Sequence, residues 1–156
     1  MEKLQNPLKM NLTNVRVNRT LHGRSKYRPV NVSGHNVVTG WYLNMDRDGI
    51  DWCVPSGTPV YASHDGVAGI RERNGILACV IIIGTGSDSI YRSVYAHLSI
   101  KSDLKSGDKV KQGQCIGYVG KKLNDPHLHY ELWKNGQGIC AKTPAGLSAK
   151  LATFFE

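Results

Sequence analysis

From Trp41 onward, apolar and polar residues alternate in short stretches separated by Gly, Asn, Asp and Ser. That pattern, with a period of about two, is the signature of half-buried strands. Residues 54–62 hold a Pro-Ser-Gly turn and then an alternating stretch. Residues 66–73 and 77–83 predict a hairpin that reverses at Asn74-Gly75, two residue types that tolerate positive φ. Residues 90–98 and 128–133 predict two further strands. Glycines at 107, 113, 117 and 120 predict tight turns between very short strands in 105–120. No stretch sustains a helical period, although residues 145–155 suit a short C-terminal helix. The pattern predicts an all-β domain without internal repeats or low-complexity tracts.

Composition adds a division of the chain. With 156 residues, 40% of them apolar and 21% charged, one packed domain is expected and global disorder is excluded. The net charge of +8 is uneven: residues 1–40 carry seven basic side chains against Glu2, while the other 116 residues carry 13 basic and 11 acidic groups. The expected organisation is therefore a basic N-terminal arm over 1–40, lying outside the core or docking onto another chain, and a near-neutral body over 41–156. Such an arm suits an anionic neighbour: a cell-wall polymer, an acidic protein face or a nucleic acid. Its basic residues are too scattered and too poor in aromatics to favour nucleic acid.

The longest apolar run is the eight residues 76–83, far short of the roughly 20 that span a bilayer. The first residues lack the apolar stretch of a signal peptide, so standard export is not expected. Cys53, Cys79, Cys115 and Cys140 are isolated, without the paired spacing of a zinc ribbon; two disulfides stay open, but the missing export signal favours free thiols, with Cys79 buried in the apolar run.

The stretch Pro126-His127-Leu128-His129-Tyr130-Glu131 concentrates the chemistry. On a strand, His127, His129 and Glu131 share one face, and Leu128, Tyr130 and Leu132 point to the core. Two imidazoles so placed can serve one metal site, one as ligand and one beside it. Taken singly, each candidate has a bland reading as well: Asp51 as a backbone-bonded strand end, His97 as a satisfied core histidine.

Read in order, the motifs are more specific. Asp48-Gly49-Ile50-Asp51, residues 54–62, Asp65-Gly66-Val67, Tyr95-Ala96-His97-Leu98-Ser99, residues 110–117 and the closing His127-Leu128-His129-Tyr130-Glu131 together resemble the lysostaphin-type (LytM-like) zinc peptidoglycan endopeptidases over roughly residues 45–134. Glycine turns like those at 109–120 also occur in biotinyl and lipoyl carriers, but the carrier Met-Lys hairpin is missing.

The resemblance implies an antiparallel β-sandwich with a central groove for peptidoglycan stem peptides or cross-bridges. It implies zinc held by Asp51 and His129, with His127 as general base and His97 as stabiliser of the oxyanion. It also implies a third ligand at position 47, in a pattern His-x-Gly-x-Asp, where this chain has Arg47. A guanidinium has no lone pair to give a metal. Three outcomes are open: Asp46 or Asp48 supplies an oxygen; His22, His35 or His64 is recruited; or Arg47 turns outward and zinc is held weakly or lost.

The leading expectation is a zinc metalloendopeptidase that cleaves wall cross-bridges. Without an export signal, it would be phage-encoded, carried in a virion or held in the host cytoplasm before release, with the arm docking to an assembly such as a tail. The rival is a catalytically degenerate domain that binds wall or partner, or serves structurally.

Overall fold

The computed structural model describes residues 3–17, 27–32, 35–40, 49–73, 77–101, 103–120 and 126–156, with 27–32, 35–40, 72–73 and 77 described by backbone alone. The strands are β1 (Arg16–Val17), β2 (Tyr27–Val32), β3 (His35–Gly40), β4 (Gly49–Cys53), β5 (Pro59–Tyr61), β6 (Gly66–Arg73), β7 (Leu77–Gly84), β8 (Tyr91–Ile100), β9 (Lys109–Val110), β10 (Cys115–Val119), β11 (Leu128–Lys134) and β12 (Gln137–Gly138). One helix, α1 (Pro144–Ala152), follows. The main sheet is antiparallel and runs β1-β4-β11-β8-β7-β6-β9, with β12 on β11, while β2 and β3 form a separate pair. Strand β10 leaves this path by pairing with the end of β8 and with β5. Residues of the branch and of the main sheet share one apolar core. The expected antiparallel all-β fold with a short C-terminal helix is the fold observed.

Alternation decides which face each strand buries. On β7, Val80 and Ile82 enter the main core, whereas Ile81 and Ile83 join Val94 in a second cluster with Cys79 against it. On β11, Leu128, Tyr130 and Leu132 are fully buried in the main core. Tyr130 lies directly opposite Tyr95 of β8, their rings 5.4 Å apart and edge-on, and 5.2 Å from Trp52 of β4. The Trp52 indole donates to Ser148 Oγ at 2.9 Å, fastening β4 to α1. That helix is capped by Thr143, whose Oγ1 accepts from Gly146 N–H, and Pro144 occupies its first turn. Buried hydroxyls are paired as burial demands: Ser63 meets both Tyr95 and Tyr130, and Ser93 bridges Tyr95 to His64.

The hairpin of β6 and β7 has the predicted pairing, Arg73 opposite Leu77; its Asn74-Gly75 turn lies outside the described residues. One expectation is corrected. Residues 3–17 of the basic arm do not stay outside the core: Leu4, Leu8 and Leu12 are buried in it, and β1 extends the sheet through β4. Leu4 also bridges Phe155, its N–H donating to Phe154 O at 2.9 Å. A charge count over 1–40 misses three apolar anchors spaced four residues apart.

All four cysteines are free thiols. Burial, aided by the charge of Glu131, pushes the Cys79 thiol up to about 12. Among the described residues no helix is long and apolar enough to cross a membrane.

Candidate metal centre

The pairing of β4 with β11 sets Asp51 opposite His129 and Gly49 opposite Glu131. Directly opposed residues share a sheet face, so Asp51, His129 and Glu131 lie together on the face away from Tyr130 and Leu128. All three are buried, with 3%, 3% and 1% exposure. His129 Nδ1 stands 3.3 Å from Asp51 Oδ1, and His129 Nε2 donates to Glu131 Oε2 at 2.8 Å. The other carboxylate oxygen, Glu131 Oε1, accepts from the Trp133 indole N–H at 3.0 Å.

Two further imidazoles complete the cluster from its rim. His127, one residue ahead of β11 and 18% exposed, brings Nε2 to 3.7 Å from Asp51 Oδ2. His97 of β8 stacks edge-on against it with centroids 4.8 Å apart, and lies 6.1 Å from His129. Its placement depends on a bulge. Tyr95 pairs with Val80 and Leu98 with Ala78, so three steps on β8 match two on β7. Tyr95 and Leu98 both face the core, leaving Ala96 and His97 between them. His97 adopts φ 66, a left-handed conformation unusual outside glycine, and its carbonyl accepts from Gly120 N–H at 2.9 Å.

A glycine makes room for the buried histidine. A Cβ at Gly49 would fall 2.2 Å from His129 Cε1 and 2.7 Å from Nε2, so the ring occupies the volume a side chain would need.

The surroundings of His129 favour its charged form. Burial alone lowers the His129 pKa, but hydrogen bonds to Asp51 and Glu131 and their charges outweigh it and lift the group to about 9.

The separation of the His129–Asp51 pair also matches that of two donors on one metal ion. Two donors each about 2.0–2.1 Å from a tetrahedral zinc stand about 3.3 Å apart, the separation of His129 Nδ1 and Asp51 Oδ1. Among the described residues no third His, Cys, Asp or Glu completes a ligand group. Arg47, Asp46, Asp48 and His22 lie outside the described residues, and His35 is described by backbone alone. His64 is removed as a recruited ligand. Its Nε2 bonds Ser93 Oγ at 2.8 Å and its Nδ1 meets Asp65 O, while Ser93 lies opposite the core residue Leu132. That is the wrong face of the sheet.

Asp51, His97, His127 and His129 thus come together. Sequence reasoning gave no role to Glu131, Trp133 or Gly49. Alternation put Glu131 on the right face and extends by one step to Trp133. Nothing local marks Gly49 as the berth of a histidine 80 residues away.

A profile of Peptidase family M23 matches residues 45–140. The DD-carboxypeptidase/endopeptidase Mpg of Neisseria meningitidis serogroup B is 35% identical over 127 residues, covering 77% of this chain and 28% of that protein. The peptidoglycan DD-endopeptidase ShyA of Vibrio cholerae is 40% identical over 97 residues, covering 61% and 22%. This chain therefore spans about a quarter of the length of these curated relatives. Among solved structures, the catalytic domain of lysostaphin from Staphylococcus simulans superposes with a TM-score of 0.53 at 26% identity, covering 88% of this chain and 95% of that one.

Proposed function

Since this chain belongs to peptidase family M23, we propose that it is a zinc-dependent peptidoglycan endopeptidase that hydrolyses peptide bonds of wall cross-bridges. The observation that carries the reading is the convergence of Asp51 and His129, at donor spacing for zinc, with His127 and His97 at the rim. The names of the relatives, a DD-carboxypeptidase/endopeptidase and a DD-endopeptidase, support a peptidoglycan substrate. That substrate makes the cell wall its place of action.

Asp51 Oδ1 and His129 Nδ1 would hold the metal. When bound, zinc supplies a Lewis acid that acidifies water to a pKa of about 7 and polarises a carbonyl. His127, partly exposed and within 3.7 Å of Asp51, takes the proton of the attacking water at Nε2 and returns it to the leaving amine. His97 leans over the same space from the bulge and donates to the oxygen on which negative charge develops.

The test is digestion of purified sacculi with zinc-loaded protein, with products resolved as muropeptides. Shortened cross-links are expected from the wild type, and none from His127→Ala at equal zinc occupancy. A zinc-loaded wild type that releases no peptide would overturn the catalytic reading and favour a domain that binds wall without cutting it.

A further inference from the structure

Glu131 and Trp133 have no place in the reaction as described, yet both are spent on His129. Glu131 is 1% exposed, and Val94, its neighbour across the strands, is apolar and itself faces Ile81. A buried carboxylate in such surroundings needs donors for both oxygens. It has two: His129 Nε2 on Oε2 and Trp133 Nε1 on Oε1.

We propose that Glu131 and Trp133 are a positioning pair that holds His129 with its proton on Nε2, so that Nδ1 presents its lone pair to the metal beside Asp51. This inference rests on the zinc reading of Asp51 and His129 given above. The two members act differently. Glu131 accepts from Nε2–H and thereby fixes both the ring's orientation and the nitrogen that carries the proton. Trp133 acts through Glu131: an indole N–H can only donate, so it obliges the second carboxylate oxygen to remain an acceptor and sets the plane of the group.

The donor-only indole gives the pair a distinctive signature. Glutamine at 131 keeps the shape but has one acceptor for two donors. The indole cannot adapt, whereas an imidazole can. The amide carbonyl therefore goes to Trp133, and the amide NH2 turns to His129 Nε2, which must accept. The ring proton then moves to Nδ1, facing Asp51, where it blocks the metal. Phenylalanine at 133 removes the indole donor and frees the amide to turn back.

The experiment measures zinc affinity by competition with a chromogenic chelator in wild type, E131Q, W133F and W133F/E131Q, with thermal unfolding reporting that each is folded. Long-range proton–nitrogen NMR of the metal-free proteins reports whether the His129 Nε2 proton is present and protected from exchange. We expect a protected Nε2 proton in the wild type, its loss in E131Q with zinc binding weakened about 10–100-fold, and recovery of both in W133F/E131Q. A double variant better than its E131Q parent cannot arise from lost packing alone. E131Q binding zinc within threefold of wild type would overturn the pair and leave the metal reading standing, and so would equal affinities in E131Q and W133F/E131Q. A wild type with the protected proton but no affinity for zinc would overturn the metal reading and support the pair.

Discussion

Gly49→Ala is a small change with a large expected effect, because the missing methyl is the space in which His129 sits. The added Cβ would lie 2.2 Å from His129 Cε1, 2.7 Å from Nε2 and 3.2 Å from Nδ1, against ordinary carbon contacts of about 3.5–4.0 Å. The ring must retreat by more than about 1 Å, and it has no slack: Nε2 is bonded to Glu131 at 2.8 Å and Nδ1 faces Asp51 at 3.3 Å. Overpacking of this kind costs about 1–3 kcal/mol, and loosening a charged hydrogen bond adds about 1.5–3 kcal/mol. Gly49 has no positive φ to forbid alanine, so reduced freedom of the unfolded chain offsets about 0.4–1 kcal/mol. The net is a destabilisation of about 1.5–5.5 kcal/mol. At about 2–4 °C per kcal/mol for a chain of this length, Tm should fall by roughly 3–22 °C. Zinc affinity, read by chelator competition, should fall at least about tenfold, since a ligand displaced by an ångström no longer meets its partner. The double variant G49A/H129A isolates the cause. With the imidazole gone the methyl has room, so adding G49A to H129A should leave Tm unchanged or slightly raised. If G49A lowers Tm equally in both backgrounds, the clash with His129 is not its mechanism.

Four more outcomes can be checked. His97→Gly should be more stable than His97→Ala by about 1 kcal/mol in urea unfolding, because only glycine accepts φ 66 without cost; both should lose hydrolysis, and the reverse order of stability would refute strain at the bulge. The metal-free protein should lose stability as pH rises from 6.5 through about 9, because His129 is lifted to about 9 in the fold and its charged form is stabilised there; zinc should raise Tm more at the upper end of that window, where Nδ1 no longer holds a proton, and a metal-free Tm that climbs across it would contradict the sign. His64 works in the opposite direction, since burial lowers its pKa and its neutral form is favoured, so stability should also fall as pH drops below 6.5. Arg47→His, which writes His-x-Gly-x-Asp into the chain, should strengthen zinc binding by orders of magnitude in the same competition assay; unchanged affinity would show that position 47 does not face the metal.

What was legible in advance depended on whether a residue's orientation is decided locally. Residues 128–132 alternate apolar and polar without interruption, so the core positions Leu128, Tyr130 and Leu132 and the site positions His129 and Glu131 follow from period alone. The same rule fails at His97. Counting in twos from Tyr95 sends His97 into the core, the bland reading of a histidine in a buried strand. The structure inserts one extra residue against β7, and His97 emerges on the other face at positive φ. A bulge is a relation between two strands, and neither strand's pattern contains it. The arm was misread for a related reason: net charge averages over a segment, whereas burial is decided by Leu4, Leu8 and Leu12 individually.

The registers that carry these residues are held from the opposite side of the sheet. Trp52, Tyr95 and Tyr130 pack together in the core, each one residue along the chain from a site strand position: Trp52 from Asp51, Tyr95 from Ala96, Tyr130 from both His129 and Glu131. A one-residue slip of β11 would turn His129 and Glu131 into the core and Tyr130 out of it. The hydroxyls make such a slip more costly still, because Tyr95 and Tyr130 both bond Ser63, and Tyr95 also bonds Ser93, all in a fully buried place where an unpaired polar group is expensive. Precision at the Asp51–His129 pair is therefore specified by an apolar and hydroxyl cluster that never touches the site. Changes there, such as Tyr130→Phe, act on the metal centre only as far as they loosen strand register, whereas Gly49, Glu131 and Trp133 act on the imidazole directly.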